Sequence, residues 1–290
     1  ALATIVALDD GGPRPVGTQM VIGRDVVSGF LSGGCLEADV AGHAREVLGD
    51  GEPRRLVYGQ GSPWPDIRLM CGARIEVLLE RVAPEDEAAL RLFALTDARA
   101  PALWLSDGAR RACGPLGDPP RDWPGAFRKV YRPVPRLVVL GADPTALAIA
   151  ALGAQAGCAT TLVRPKGPIE APPLAGVAYR RDEPADALAA IGLDAWTAVA
   201  VATHEAELDH DALVVALGSD AFYVGALGAR RRLPQRVAWL AAAGLSREDI
   251  GRLHAPIGLD VGGKAPWEVA IAVLAQITAL RHAGEADIEA

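Results

Sequence analysis

The stretch Arg136-Leu137-Val138-Val139-Leu140-Gly141-Ala142-Asp143-Pro144-Thr145 sets the architecture of the larger half of this chain. Leu137–Leu140 is a continuous apolar run too short for a helix, the pattern of a parallel strand buried on both faces. A glycine, an acid suited to capping a helix and a proline suited to its first turn then open an alanine-rich helical stretch that runs to Gly157. The rhythm repeats downstream. Strands are predicted at Ala159–Val163, Gly176–Tyr179, Thr197–Thr203 and Phe222–Leu227, with helices at Pro184–Ile191 and Asp211–Leu217. Such alternation with right-handed crossovers predicts a doubly wound parallel sheet of strand order 3-2-1-4-5.

Upstream, two proline clusters break the pattern: Asp118-Pro119-Pro120-Arg121-Asp122-Trp123-Pro124-Gly125 and Arg132-Pro133-Val134-Pro135. Proline lacks an amide donor and fixes its own φ, so both read as connections. They predict an N-terminal domain over 1–118 and a Rossmann-like C-terminal domain over 133–290. In the first domain Thr18–Ile22 and Val26–Leu31 flank Gly23-Arg24-Asp25 as a hairpin. Ser32-Gly33-Gly34-Cys35 then leads into a helix with Leu36, Val40, Val47 and Leu48 on one face, and Arg74–Leu79 is a further strand. The predicted class is α/β, a C-terminal Rossmann-like doubly wound parallel sheet plus a smaller N-terminal α+β domain.

At 290 residues, 50% of them hydrophobic and 22% charged, the chain can bury two cores. No run reaches the roughly 18 apolar residues of a membrane span; Trp267–Leu280 comes nearest, and Glu268 and Gln276 interrupt it. The chain opens in mid-strand without a methionine or a basic leader, which predicts a cytoplasmic protein that has lost a short N-terminal segment. A net charge of −7 weighs against a nucleic-acid partner, whose phosphates select a basic face. Four cysteines, Cys35, Cys71, Cys113 and Cys158, stand too far apart for a zinc site or a disulfide framework, so reduced thiols are expected.

Cys35 is the first candidate for chemistry. At a helix start, behind Gly33 and Gly34, a thiol meets unpaired amides that favour the thiolate. Its other reading is a small buried residue in a tight turn. Cys71, in Met70-Cys71-Gly72-Ala73-Arg74, reads equally as core. Arg14, clamped in Gly12-Pro13-Arg14-Pro15-Val16-Gly17, is either a rigid anion ligand or a plain ion pair. Gly141-Ala142-Asp143 stands where a dinucleotide fold carries G-x-G, but a carboxylate at the second position repels a pyrophosphate and counts against NAD(P). His204, in Thr203-His204-Glu205, falls at the sheet's switch point, where such folds bind ligands. Gly225-Ala226-Leu227-Gly228-Ala229-Arg230-Arg231-Arg232 joins glycines at a strand's carboxyl end to three arginines. It reads as an anion site or as a solvated charge run. The glycine-rich loop Pro256–Pro266 either closes over the same edge or caps the domain.

Taken in order, these segments resemble the xanthine dehydrogenase accessory protein family (XdhC/CoxI), from about residue 4 to 282. The likeness rests on Pro13-Arg14-Pro15-Val16-Gly17, Ser32-Gly33-Gly34-Cys35-Leu36-Glu37 and Cys71-Gly72-Ala73-Arg74. It continues in Thr203-His204-Glu205 with Leu208-Asp209 after it, Tyr223-Val224-Gly225-Ala226-Leu227-Gly228 with its arginines, and Ala255–Gly262. The resemblance implies an accessory factor that binds molybdenum cofactor as cargo, with the molybdopterin a monophosphate or a dinucleotide. It further implies support for the cofactor's sulfuration, with a cysteine desulfurase as sulfur source, and delivery to a xanthine-dehydrogenase-type molybdenum hydroxylase. On this reading Cys35 ligates molybdenum or handles the sulfur, and His204 orients the ligand or a proton. Arg14, Gly33, Gly34, Gly141, Gly225, Gly228, Arg230, Arg231 and Arg232 contact the cofactor. The chain departs from the family pattern at Ala73, at Asp143, at Arg164 and Lys166 after the second Rossmann strand, and at Gln276, where glutamate is frequent.

Two other classes remain open at this point. Arg164 and Lys166 suit the 2′-phosphate of an NADP-dependent oxidoreductase, and the apolar helix Trp267–Leu280 suits an interaction scaffold. That helix also predicts a homodimer.

Overall fold

The computed structural model describes residues 1–9, 14–60, 62, 72, 74–203 and 205–289. Two compact units divide the chain, Ala1–Pro133 and Val134–Ala290. The first is built from β1 (Leu2–Asp9), β2 (Gln19–Ile22), β3 (Val27–Gly29), α1 (Glu37–Asp50), β4 (Arg54–Tyr58) and β5 (Arg74–Glu80), followed by α2 (Glu87–Asp97), β6 (Ala102–Ser106), β7 (Arg111–Pro115) and β8 (Phe127–Tyr131). Its larger sheet is antiparallel in the order β3-β2-β1-β5-β4. The predicted hairpin is present, pairing Met20 with Gly29 and Ile22 with Val27. Helix α1 lays Val40, Ala41, Ala44 and Val47 against Ile5, Met20, Ile22 and Val77 of that sheet. The apolar spacing of its sequence requires such a face.

A second antiparallel sheet, β7-β6-β8, packs on α2 around Ala88, Ala89 and Trp104. The sequence places the end of the first domain at residue 118. In the structure β8 pairs with β6, Leu103 opposite Val130, so the chain through Tyr131 belongs to the first unit. The proline cluster is a loop inside the unit; proline forbids a strand locally but does not stop the chain from returning as one. The buried Glu80 carboxylate at the end of β5 joins the two sheets. It accepts from Ser106 Oγ at 2.7 Å and Arg111 Nε at 3.0 Å, and Arg111 also meets Asp86 at 2.5 Å. Burial pushes the Glu80 carboxyl above its ordinary value against the opposing pull of Ser106 and Arg111.

The second unit runs β9 (Arg136–Gly141), α3 (Pro144–Gln155), β10 (Ala159–Val163), β11 (Val177–Arg180), α4 (Pro184–Ile191), β12 (Thr197–Ala202), α5 (Ala206–Leu217), β13 (Tyr223–Ala226), a 3₁₀ turn at Arg230–Arg232, α6 (Leu233–Ala242), α7 (Arg247–Gly251), β14 (Leu253–His254) and α8 (Pro266–Glu289). Its sheet is wholly parallel, in the order β11-β10-β9-β12-β13-β14. This is the predicted 3-2-1-4-5 with one added two-residue strand. Alternate residues of β9 serve opposite cores. Leu137 and Val139 pack towards α3 and α8, whereas Val138 and Leu140 pack towards α4 and α5.

The loop after β14 packs down between sheet and helix. Ile257 donates its amide to Ala226 O at 3.0 Å, and Leu259 donates to Ala272 O at 3.2 Å. Gln276 Oε1 accepts from both Tyr223 Oη at 2.7 Å and the Gly258 amide at 2.9 Å. A neutral amide oxygen therefore does the bridging at this departure from the family pattern. Among the described residues, no helix is long and apolar enough to cross a membrane.

Candidate functional site

In the first unit the loop between β3 and α1 is organised by two side chains. Ser32 Oγ accepts from the amides of Gly34 (3.2 Å), Cys35 (3.0 Å) and Leu36 (3.2 Å). Glu37, the first residue of α1, folds its carboxylate back into the loop. Oε1 accepts from the Leu31 amide at 3.1 Å and the Ser32 amide at 2.7 Å; Oε2 accepts from Ser32 Oγ at 2.8 Å and the Leu36 amide at 3.1 Å. Gly34 makes the inward turn possible with φ of 110°, a conformation that side chains disfavour. Gly33, Gly34 and Cys35 stand exposed at the rim, and the Cys35 thiol is free.

This differs from the amides left unpaired that the sequence suggests around Cys35, because an internal carboxylate and a hydroxyl already engage them. Desolvation works to raise the Glu37 carboxyl, and the hydrogen bonds from Ser32 and Leu36 outweigh it, holding the group below its ordinary value. Cys113 and Cys158, by contrast, are free thiols pushed up by burial.

In the second unit the carboxyl ends of β9 and β12 meet at the switch point. Gly141 lies so close to its neighbours that a Cβ there would sit 2.5 Å from Ala202 O and 2.8 Å from Ala146 Cβ. Asp143 caps α3, accepting from the Ala146 amide at 2.8 Å, so a carboxylate stands where a dinucleotide fold presents open amides. The niche beside Gly141, Arg164 and Thr203 holds only about 60 Å³, room for roughly two waters. Lys166 and Glu205, both exposed, pair beside it at 2.6 Å. That pairing occupies one of the two cations that the NADP reading assigned to a 2′-phosphate; Arg164, the other, lines the niche.

One step along the sheet, a larger cleft of about 370 Å³ opens between the starts of α5 and α6, beyond the end of β13. Gly228 and Arg232 line it together with Asp209, His210, Gln235, Arg236 and Trp239. Asp209, buried in α5, accepts from Thr203 Oγ1 at 2.7 Å and from Arg236 Nη2 at 3.1 Å, and Arg236 Nη1 also donates to Leu227 O at 3.2 Å. His210 lies edge-on to Trp239, with ring centroids 6.0 Å apart at 81°.

The remaining predicted residues scatter. Arg14 is exposed on the loop before β2. Gly225 is buried inside β13 against Ile257. Arg230 faces Asp260 at 3.4 Å, both side chains largely exposed, and Arg231 is exposed on the same turn. His204 and Cys71 lie outside the described residues. Among the described residues no cluster of histidines, cysteines and carboxylates could hold a metal ion. Ser32 and Glu37 left one trace in the sequence, a hydroxyl and an acid flanking a helix start. Asp209 shows in the sequence only inside the family motif and Arg236 not at all, because their pairing joins α5 to α6 across 27 positions.

These features define a protein with a parallel Rossmann-type sheet whose first helix is capped by Asp143, and with a small α+β unit that displays a thiol on a latched loop. The XdhC and CoxI family matches residues 1–59, and the XdhC Rossmann domain matches residues 137–277. The molybdenum cofactor insertion chaperone PaoD of Escherichia coli is 32% identical over 288 residues, covering 99% of this chain and 85% of that protein. A probable xanthine dehydrogenase subunit of Bacillus subtilis is 26% identical, covering 97% of this chain and 92% of that protein. A crystal structure described as a xanthine dehydrogenase from Bacillus halodurans superposes with a TM-score of 0.75 at 24% identity over 97% of this chain and 91% of that one, which supports the fold. The chain belongs to the XdhC and CoxI family.

Proposed function

We propose that this protein is a molybdenum cofactor chaperone. It takes up the cofactor as cargo, supports its sulfuration with a cysteine desulfurase as sulfur donor, and delivers it in the cytoplasm to a xanthine-dehydrogenase-type hydroxylase. The observation that carries the reading is the 32% identity to an insertion chaperone along 99% of the chain. Each unit by itself offers chemistry that suits the cargo. Cys35 offers an exposed soft thiol, suited to molybdenum or to a transferable sulfur. The latch of Ser32 and Glu37 holds the backbone around it. Gly228 with Arg230, Arg231 and Arg232 offers backbone and guanidinium donors for a phosphate. Helix α8 buries Ala270, Val273 and Ile277 while leaving Trp267 and Ile271 more than half exposed, which supports a homodimer.

The test is reconstitution of the purified protein with molybdenum cofactor, followed by measurement of co-eluting molybdenum and pterin and of activity gained by an apo-hydroxylase. Wild-type protein should carry both and activate the enzyme, whereas Cys35→Ala should fail to deliver active sulfurated cofactor. Normal delivery by Cys35→Ala overturns the thiol role; wild-type protein that carries neither molybdenum nor pterin overturns the chaperone reading.

A further inference from the structure

We infer that the cleft between α5 and α6 binds a small phosphomonoester carrying one planar ring system, with Arg232 taking the phosphate and Trp239 the ring. The inference deepens the chaperone reading, since a pterin monophosphate fits that description, but it is argued from the cleft's own residues. At about 370 Å³ the cleft falls at the small end of the roughly 300–1,000 Å³ range of ligand sites, which suits a single ring and its phosphate better than a dinucleotide.

Its charge favours an anion. The Asp209 carboxylate is neutralised by Arg236, so the lining cation left without a partner among the described residues is Arg232, exposed at the cleft's edge. Helix α5 carries no side-chain cap, so its start contributes a positive dipole end here. Gly228, exposed and without a side chain, lets a phosphate approach the backbone.

The opposite wall is aromatic. Trp239 is 44% exposed, so much of its ring is available for stacking. His210 braces it edge-on. Gln235 adds an amide that can read a ring edge. Beneath them the Asp209–Arg236 pair fixes α5 to α6, so the walls are preformed and little ordering is needed on binding.

The test titrates the full-length protein calorimetrically with inorganic phosphate, GMP, guanosine, neopterin monophosphate, neopterin and NADP. A ring-bearing monophosphate should bind one to one and at least ten-fold more tightly than phosphate alone or the unphosphorylated parent. Tighter binding of the pterin ester than of GMP assigns the natural source to a pterin; the reverse order assigns it to a nucleotide. Arg232→Gln should weaken the ester ten-fold or more without changing the unphosphorylated compounds, and Arg232→Lys should restore part of the loss. Trp239→Ala should weaken every ring compound and leave phosphate unchanged. Both side chains are exposed, and circular dichroism verifies that the variants fold. Failure of all these monophosphates to bind, indifference to both substitutions, or NADP as the tightest ligand overturns the assignment. If the esters fail while wild-type protein retains molybdenum cofactor, the cleft assignment falls and the chaperone reading stands. If the esters bind and no cofactor is retained, the reverse holds.

Discussion

Replacing Glu37 with glutamine probes whether the thiol loop is held by its own carboxylate. Glutamine keeps one oxygen for the amides of Leu31 and Ser32, but it turns the second acceptor, which serves Ser32 Oγ and the Leu36 amide, into a donor. Hydrogen bonds to a charged partner net about 1.5–3 kcal/mol each. Glu37 is only partly buried, and the Leu36 amide retains Ser32 Oγ at 3.2 Å, so the two losses together fall well short of the full sum. We expect about 2–3 kcal/mol of local stability to disappear, which at about 1.4 kcal/mol per factor of ten is a roughly 30- to 150-fold loss of protection. Amide hydrogen exchange at Ser32, Cys35 and Leu36 measures it directly.

The pH dependence has a definite sign. The folded carboxyl is held below its ordinary value, so the latch is complete above the unfolded glutamate pKa of about 4.3 and weakens as pH falls through the lower folded value. Wild type and Glu37→Gln should therefore converge on acidification. Unchanged exchange at neutral pH, or a difference that persists undiminished in acid, would refute the latch.

Three further outcomes follow from the packing. Gly141→Ala forces a methyl to 2.5 Å from the backbone oxygen of Ala202, which cannot rotate away, and should cost about 3 kcal/mol in urea unfolding; a change below about 0.5 kcal/mol contradicts the close approach. Asp209→Ala strands the largely buried Arg236 guanidinium and should destabilise the second unit by about 3–5 kcal/mol, with most of that loss recovered when Arg236 is replaced by leucine as well. Ile271→Glu puts a charge on the exposed face of α8 and should convert a dimer to monomer in sedimentation velocity; a wild-type monomer at every concentration sinks the dimer proposal.

The Rossmann-type sheet was legible because its signals are local. Leu137–Leu140, the apolar residues of β10 and the whole of β12 are short runs buried on both faces, and βαβ chirality then orders them. The hairpin around Gly23-Arg24-Asp25 was legible for a similar reason, since turn chemistry sets register. Strand β14 escaped because two residues, Leu253 and His254, carry no periodicity. Helix α5 starts at Ala206 rather than at Asp211, with Glu207 and Asp209 in a first turn where acids favour the helix dipole.

The amino-acid order alone thus determined the layered α/β architecture, the Gly33-Gly34-Cys35 motif at a helix start and the departure from the dinucleotide fingerprint at Asp143, since each depends on residues adjacent in the chain. Tertiary structure decided that residues 119–131 return to the first unit through β8, that Glu37 engages the amides beside Cys35, and that Asp209 and Arg236, 27 positions apart, floor a cleft walled by His210 and Trp239. The physical reason is range. Periodicity and turn chemistry act over a few residues, whereas the pairing of a buried carboxylate with a guanidinium depends on which elements the folded core places side by side.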